Sequence, residues 1–155
     1  MGPLDILNVG QRYIENPPSR TIRALLYPSE LSTTIWIHVP VEVDDNGSLP
    51  LRSLYLVDWI PEHIKLITFA MGDLEFLSIY AHAKADALES NQCISWLTQG
   101  EYCVKGDVVV VMHRSPAADL VDMRNDDRRL VDAAVESAAN RARFMSLYGV
   151  PSQSR

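Results

Sequence analysis

Residues 35–43 read Ile35-Trp36-Ile37-His38-Val39-Pro40-Val41-Glu42-Val43. Every second residue is a β-branched aliphatic, with Trp, His, Pro and Glu in the positions between. A period of two places Ile35, Ile37, Val39, Val41 and Val43 on one face of an extended strand. An aliphatic face of that length has to be covered, so the strand belongs to a sheet packed on a core. Pro40 has no N–H to give to a ladder, which puts the strand at a sheet edge or at a bulge.

Outward from this strand the chain reads mostly as β-structure. Thr21 to Tyr27 is a strand before it. Asp44-Asp45-Asn46-Gly47-Ser48 after it has the composition of a tight hairpin turn. Leu54 to Ile60 is an apolar run closed by Pro61. Ile64 to Met71 and Leu74 to His82 read as two strands turning at Gly72-Asp73. Lys84 to Ser90 is helix-like and reads as a connection. Cys93 to Leu97 and Val108 to Met112 read as a final pair of strands, with turns at Thr98-Gln99-Gly100 and Lys105-Gly106-Asp107. The continuous run Val108-Val109-Val110-Val111 suits a strand buried on both faces.

Helices are expected at the two ends. Leu4 to Glu15 reads as a short helix stopped by Asn16-Pro17-Pro18. Ser115-Pro116 has the form of a helix start, and Asn125-Asp126-Asp127 is a stronger one because carboxylates suit a helix N-terminus. Leu130, Val131, Ala134, Val135, Ala138, Ala142 and Met145 recur at steps of three and four. Gly149 and Pro151 end that helix. The expected class is α+β: a twisted, mainly antiparallel sheet with a short N-terminal helix and a long C-terminal helix packed on it. Residues 1–150 form one domain and 151–155 a flexible tail.

Composition limits function. The chain has 155 residues, 47% hydrophobic and 22% charged, with a formal net charge of -6. It is globular, and an acidic surface of this kind argues against electrostatic binding of nucleic acid or anionic lipid by the whole surface. No apolar stretch approaches the ~20 residues of a membrane helix, and no signal peptide is expected. Cys93 and Cys103 read as reduced thiols, close enough in the expected sheet for a bridge that nothing forces.

Chemistry-bearing patterns are few. His38, His63, His82 and His113 show no helical ligand spacing, and there is no CxxC, HExxH, GxGxxG, GxxxxGK or GxSxG. No catalytic residue, metal or cofactor is therefore expected. Eleven of the fourteen basic residues are arginine. Arg114, Arg124, Arg128 and Arg129 form a candidate basic patch, whose simpler reading is a solvated face paired with Asp122, Asp126, Asp127 and Asp132. Tyr27-Pro28-Ser29-Glu30-Leu31 has the YPxxL form, a candidate late-budding peptide anchored by Tyr27, Pro28 and Leu31. Its simpler reading is a strand end and a turn.

Three segments resemble small matrix proteins of non-segmented negative-strand RNA viruses of the bornavirus and rhabdovirus kind. Thr34 to Val43 with the loop to Leu49-Pro50-Leu51 resembles an early strand and proline-containing loop of bornavirus members. Ile60-Pro61-Glu62-His63 with the strands through Ile79-Tyr80 is similar to a Pro-Glu-His segment of rhabdovirus members. The helix from Arg129 to Val150, with Ala133-Ala134 early and Tyr148-Gly149-Val150 at its end, resembles the final helix of the bornavirus type. The resemblance implies a non-enzymatic virion protein that forms homo-oligomers at the inner membrane face, linking membrane, nucleocapsid and glycoprotein during budding, without sequence-specific nucleic-acid binding. Family members often carry a basic surface and, in rhabdoviruses, a basic N-terminal arm; this chain has neither. Membrane or partner contact then falls to a local patch or to Trp36 and Trp59, each near a proline. Size and acidity also fit a small dimeric chaperone of the bacterial secretion type, with an α-β-β-β-α-β-β-α order, holding an unfolded client.

Overall fold

The computed structural model describes residues 20–56, 60, 62–72, 75–84 and 87–148. The expected helix over 4–15, Trp59 and the tail 151–155 lie outside the described residues. Among the described residues six strands and two α-helices make up the body: β1 (Arg20–Tyr27), β2 (Ile35–Val41), β3 (His63–Ala70), β4 (Phe76–His82), a short helix α1 (Gln92–Leu97), β5 (Val108–Ser115), β6 (Ala118–Val121) and the long α2 (Arg128–Tyr148). The sheet is antiparallel throughout, in the order β2-β1-β5-β4-β3, with β6 also pairing β5. This is the α+β class that the strand and helix periodicities predict.

β5 is the hub. Its N-terminal half pairs β1 (Leu25 with Val110), its C-terminal half pairs β6 (His113 with Leu120), and its other side pairs β4 (Ile79 with Val110). Val108 to Met112 are all buried. Alternation sends Val109 and Val111 into one core with Ile22, Leu26, Ile37, Val39, Leu56 and Leu120. It sends Val108, Val110 and Met112 into a second core with Leu25, Leu77, Ile79, Val131 and Val135. The first core is closed by Leu49, Leu51, Leu54, Leu56 and Ile60; the second is closed by α1 and α2.

β2 is an edge strand, as Pro40 requires, and the Pro40 carbonyl accepts from Tyr55 N at 3.1 Å. Asp44–Ser48 does turn: the Asp44 carboxylate accepts from Asn46 N and Ser48 N at 2.9 Å each, with Gly47 at φ 78°. It is not a hairpin turn. The chain beyond it docks on β6, where Leu120 N donates to Leu49 O at 3.0 Å, and then enters a 3-10 turn at Leu51–Ser53.

Two further expectations are corrected. Cys93–Leu97 is helical, because Cys93 and Ile94 are buried while Trp96 is exposed, a spacing that an alternating strand cannot give. Asn91 caps this helix, its Oδ1 accepting from Ile94 N at 2.8 Å. Ser115-Pro116 starts no helix: Ser115 pairs Ala118, and Pro116 occupies a β5–β6 turn, where its fixed φ is an advantage. The described part of 84–90 is a connection, as expected, with Ala87 in 3-10 conformation and Ser90 bridging Lys105. Asn125–Asp127 does lead into the long helix, as a 3-10 turn whose Asp127 carboxylate accepts from Arg124 N at 2.7 Å.

Asn91 does more than cap. Its buried Nδ2 donates to Tyr27 O and to Gly106 O, both at 2.8 Å, so one amide ties α1, the end of β1 and the entry to β5. Gly106 stands at φ 78° with no room for a Cβ, which would meet His82 and Leu88 side-chain carbons at 2.7 Å. Asn91→Ala orphans two carbonyls and one N–H and is expected to cost about 3 kcal/mol or more, at 1–3 kcal/mol for each buried group left unpaired. Urea unfolding checks this; a midpoint within error of the parent would contradict the assigned role.

Candidate functional site

The sequence-predicted residues converge in part. β1 and β2 place Arg23 and Trp36 on the same sheet face, and the Arg23 guanidinium lies 3.8 Å above the Trp36 ring. The same guanidinium donates to Met123 O at 3.1 Å and to Asn125 Oδ1 at 2.6 Å. Main-chain bonds lock this junction: Arg23 N donates to the Asp122 carboxylate at 2.8 Å and Met123 N to Arg23 O at 3.0 Å. Trp36, a predicted contact residue, is thus joined through Arg23 to the turn that starts α2, where the predicted arginines stand.

Arg124, Arg128 and Arg129 are exposed at that turn, and Leu130 beside them is 45% exposed. Leu130 therefore departs from the buried stripe on which its periodicity placed it. Arg124 is 3.3 Å from Asp127 and 3.9 Å from Glu75, and these carboxylates, Asp127 first, raise its pKa. One position beyond the Phe76–His113 pair stand Glu75 and Arg114, which brings Arg114 to the same margin. The surface is mixed: Arg23, Arg124, Arg128, Arg129, Trp36 and Leu130 with Asp122, Asp126 and the buried Asp127. Arg23 was missed in the sequence because its role depends on pairing with residues 99 to 102 positions away.

Tyr27 is not presented to a partner in this fold. Its ring is fully buried and its hydroxyl donates to Asp132 at 2.5 Å; burial, with the Asp132 carboxylate, pushes its pKa far above the usual phenol value. Pro28 is buried as well, and of the three anchor residues only Leu31 is exposed. The Tyr27–Leu31 peptide is a strand end and its exit. Both cysteines are free: Cys93 is buried in α1, its thiol pushed up to about 11 by burial, and Cys103 is exposed, its Sγ 3.4 Å from Ser90 Oγ.

One polar chain escaped sequence reading. His113 and Ser78 are both buried, on β5 and β4. Ser115 O can only accept, so His113 Nδ1, 2.6 Å away, is the protonated nitrogen. His113 Nε2 then accepts from Ser78 Oγ at 2.7 Å, and Ser78 Oγ from Thr68 Oγ1 at 2.8 Å. The Phe76 ring stacks on the imidazole at 5.6 Å. The Ser–His pair has the hydrogen bond of a nucleophile and its base, but Ser78 has no exposed surface through which a substrate could reach it. Burial lowers the His113 pKa. Among the described residues, no cluster of three or more His, Cys, Asp or Glu could hold a metal ion, and no helix is long and apolar enough to cross a membrane.

Comparisons with protein-family models, with curated proteins and with solved structures found no match to this chain.

Because native His113 resists protonation while an unfolded histidine protonates near pH 6.5, the unfolded state binds more protons below that pH. Stability is therefore expected to fall as pH drops from 7.5 to 5.5. Urea midpoints for the parent and His113→Gln check this: the variant should show the shallower pH dependence, and equal slopes would contradict it.

Proposed function

We propose that this chain is a non-enzymatic matrix protein of the negative-strand RNA virus kind, which self-assembles beneath the envelope and links membrane and nucleocapsid. The observation that carries this reading is the composite surface at the start of α2. Trp36 under the Arg23 guanidinium, the exposed Arg128 and Arg129, and Leu130 put an aromatic, an aliphatic and several cations together on a chain of net charge -6. Such a set suits a headgroup layer, where arginines meet phosphate and Trp or Leu enters the acyl boundary. The burial of Ser78 and His113 supports a structural rather than a catalytic role.

A second reading, the small acidic chaperone, is favoured by α1. From β3 onward the order is β-β-α-β-β-α, which matches the order of such chaperones after their first strand. That match arises because Gln92–Leu97 is helical rather than extended.

Flotation with vesicles containing phosphatidylserine tests the first reading. A basic residue near an anionic surface is worth about 1 kcal/mol, so Arg128→Ser with Arg129→Ser should lower vesicle partitioning by about tenfold or more. Trp36→Ala should weaken it further. Flotation unchanged in the triple variant, or absent in the parent, would contradict a membrane role.

A further inference from the structure

A groove of about 730 Å³ runs along the outer face of α1, on a part of the surface that the proposed function does not use. It is lined by Ser32, Ser90, Gln92, Ser95, Trp96 and Gln99, together with Asn91 and Gly100. Gln92, Ser95 and Trp96 are spaced i, i+3 and i+4, so they share one helical face opposite the buried Cys93 and Ile94, and Gln99 follows in the turn just past the helix end. The facing wall is the loop that carries Ser32. It is held in place by Gln92 N donating to Ser29 O at 3.0 Å and Ser29 N donating to the Asp107 carboxylate at 2.7 Å.

Two features of this groove point to a ligand. Trp96 is 74% exposed, the most exposed of the large hydrophobic side chains among the described residues, and its indole offers a flat apolar face to water. The lining contains no charged side chain, although 22% of the chain is charged. The groups around the indole are primary amides and hydroxyls, each able both to donate and to accept. Asn91 is not among the free ones, because its amide is spent on Ile94, Tyr27 and Gly106. Gln99 holds a left-handed backbone (φ 55°) just past the helix end, where glycine is the usual occupant, and it lines the same groove as Trp96.

From this we infer that the α1 groove binds a neutral saccharide. A pyranose ring has one face of C–H groups, which stacks on an indole, and a rim of hydroxyls that donate and accept. Gln92, Gln99, Ser95 and Ser32 match that rim. A phosphate, uronate or sulfated sugar would find no cation in the lining, so the neutral class is favoured. The volume lies in the range of small-ligand sites and accommodates two or three sugar units in an open cleft.

The test uses the full chain, uniformly labelled with 15N, titrated with cellotriose, maltotriose and chitotriose, and with a heparin tetrasaccharide as the charged control. At least one neutral probe should move the Trp96 indole N–H signal along a saturable curve with a Kd in the millimolar range. Trp96→Ala should abolish binding, and Gln99→Ala should weaken it by about threefold or more. Both side chains are exposed, so the variants keep the parent's remaining spectrum. The proposal is overturned if no neutral probe moves the signal, if the heparin fragment binds better, or if binding survives in Trp96→Ala. It is equally overturned if the Trp96 signal shifts with protein concentration alone, which would make a second copy of the chain the occupant.

Discussion

The structure depends on one strand being dry on both sides. Val108 to Met112 of β5 face two cores in alternation, Val109 and Val111 into one and Val108, Val110 and Met112 into the other. Aliphatic side chains in such a run give up water on both faces, and each buried one contributes roughly 1.5–3 kcal/mol before the entropy of ordering is set against it. The rest of the topology follows. A strand that is central must find partners on both edges, and β5 finds three: β1 and β6 along one edge, β4 along the other. The edge strand with Pro40 is displaced two places from the centre.

Centrality also explains the buried polar chain. β5 runs past its valines to His113, and the sheet continues over it, so the imidazole must be satisfied inside the protein. Ser115 O on one nitrogen and Ser78 Oγ on the other accomplish this, and Thr68 carries the chain toward the margin at β3. The pair has the distances of a catalytic dyad, and its bond satisfies one nitrogen of a buried histidine. The groups left at the surface are of another kind: arginines with Trp36 and Leu130 at one place, and Trp96 among amides and hydroxyls at another.

Much of the sheet was legible in the sequence, because period-two alternation and the Val108–Val111 run survive folding unchanged. The main misreading fell where the element was too short to display its period. Six residues, Gln92–Leu97, make fewer than two helical turns, and only the cap by Asn91 and the exposure of Trp96 identify it. β6, four residues with an aspartate at Asp119 (φ 62°), carries no strand signal of its own and is held by its neighbour β5. The candidate contact surface was half legible. Trp36 and the arginines stand out by type, but Arg23, which joins them, is an ordinary strand residue until residues 122 to 125 are folded against it. The Ser78–His113 bond spans 35 residues and leaves no local trace.

The central functional claim is open-ended self-association, and it is tested most directly by light scattering on a size-exclusion column across protein concentration at low and high salt. A matrix protein built on heterologous contacts should grow beyond a dimer as concentration rises. A single sharp dimer at every concentration and salt would contradict the claim and favour the chaperone reading.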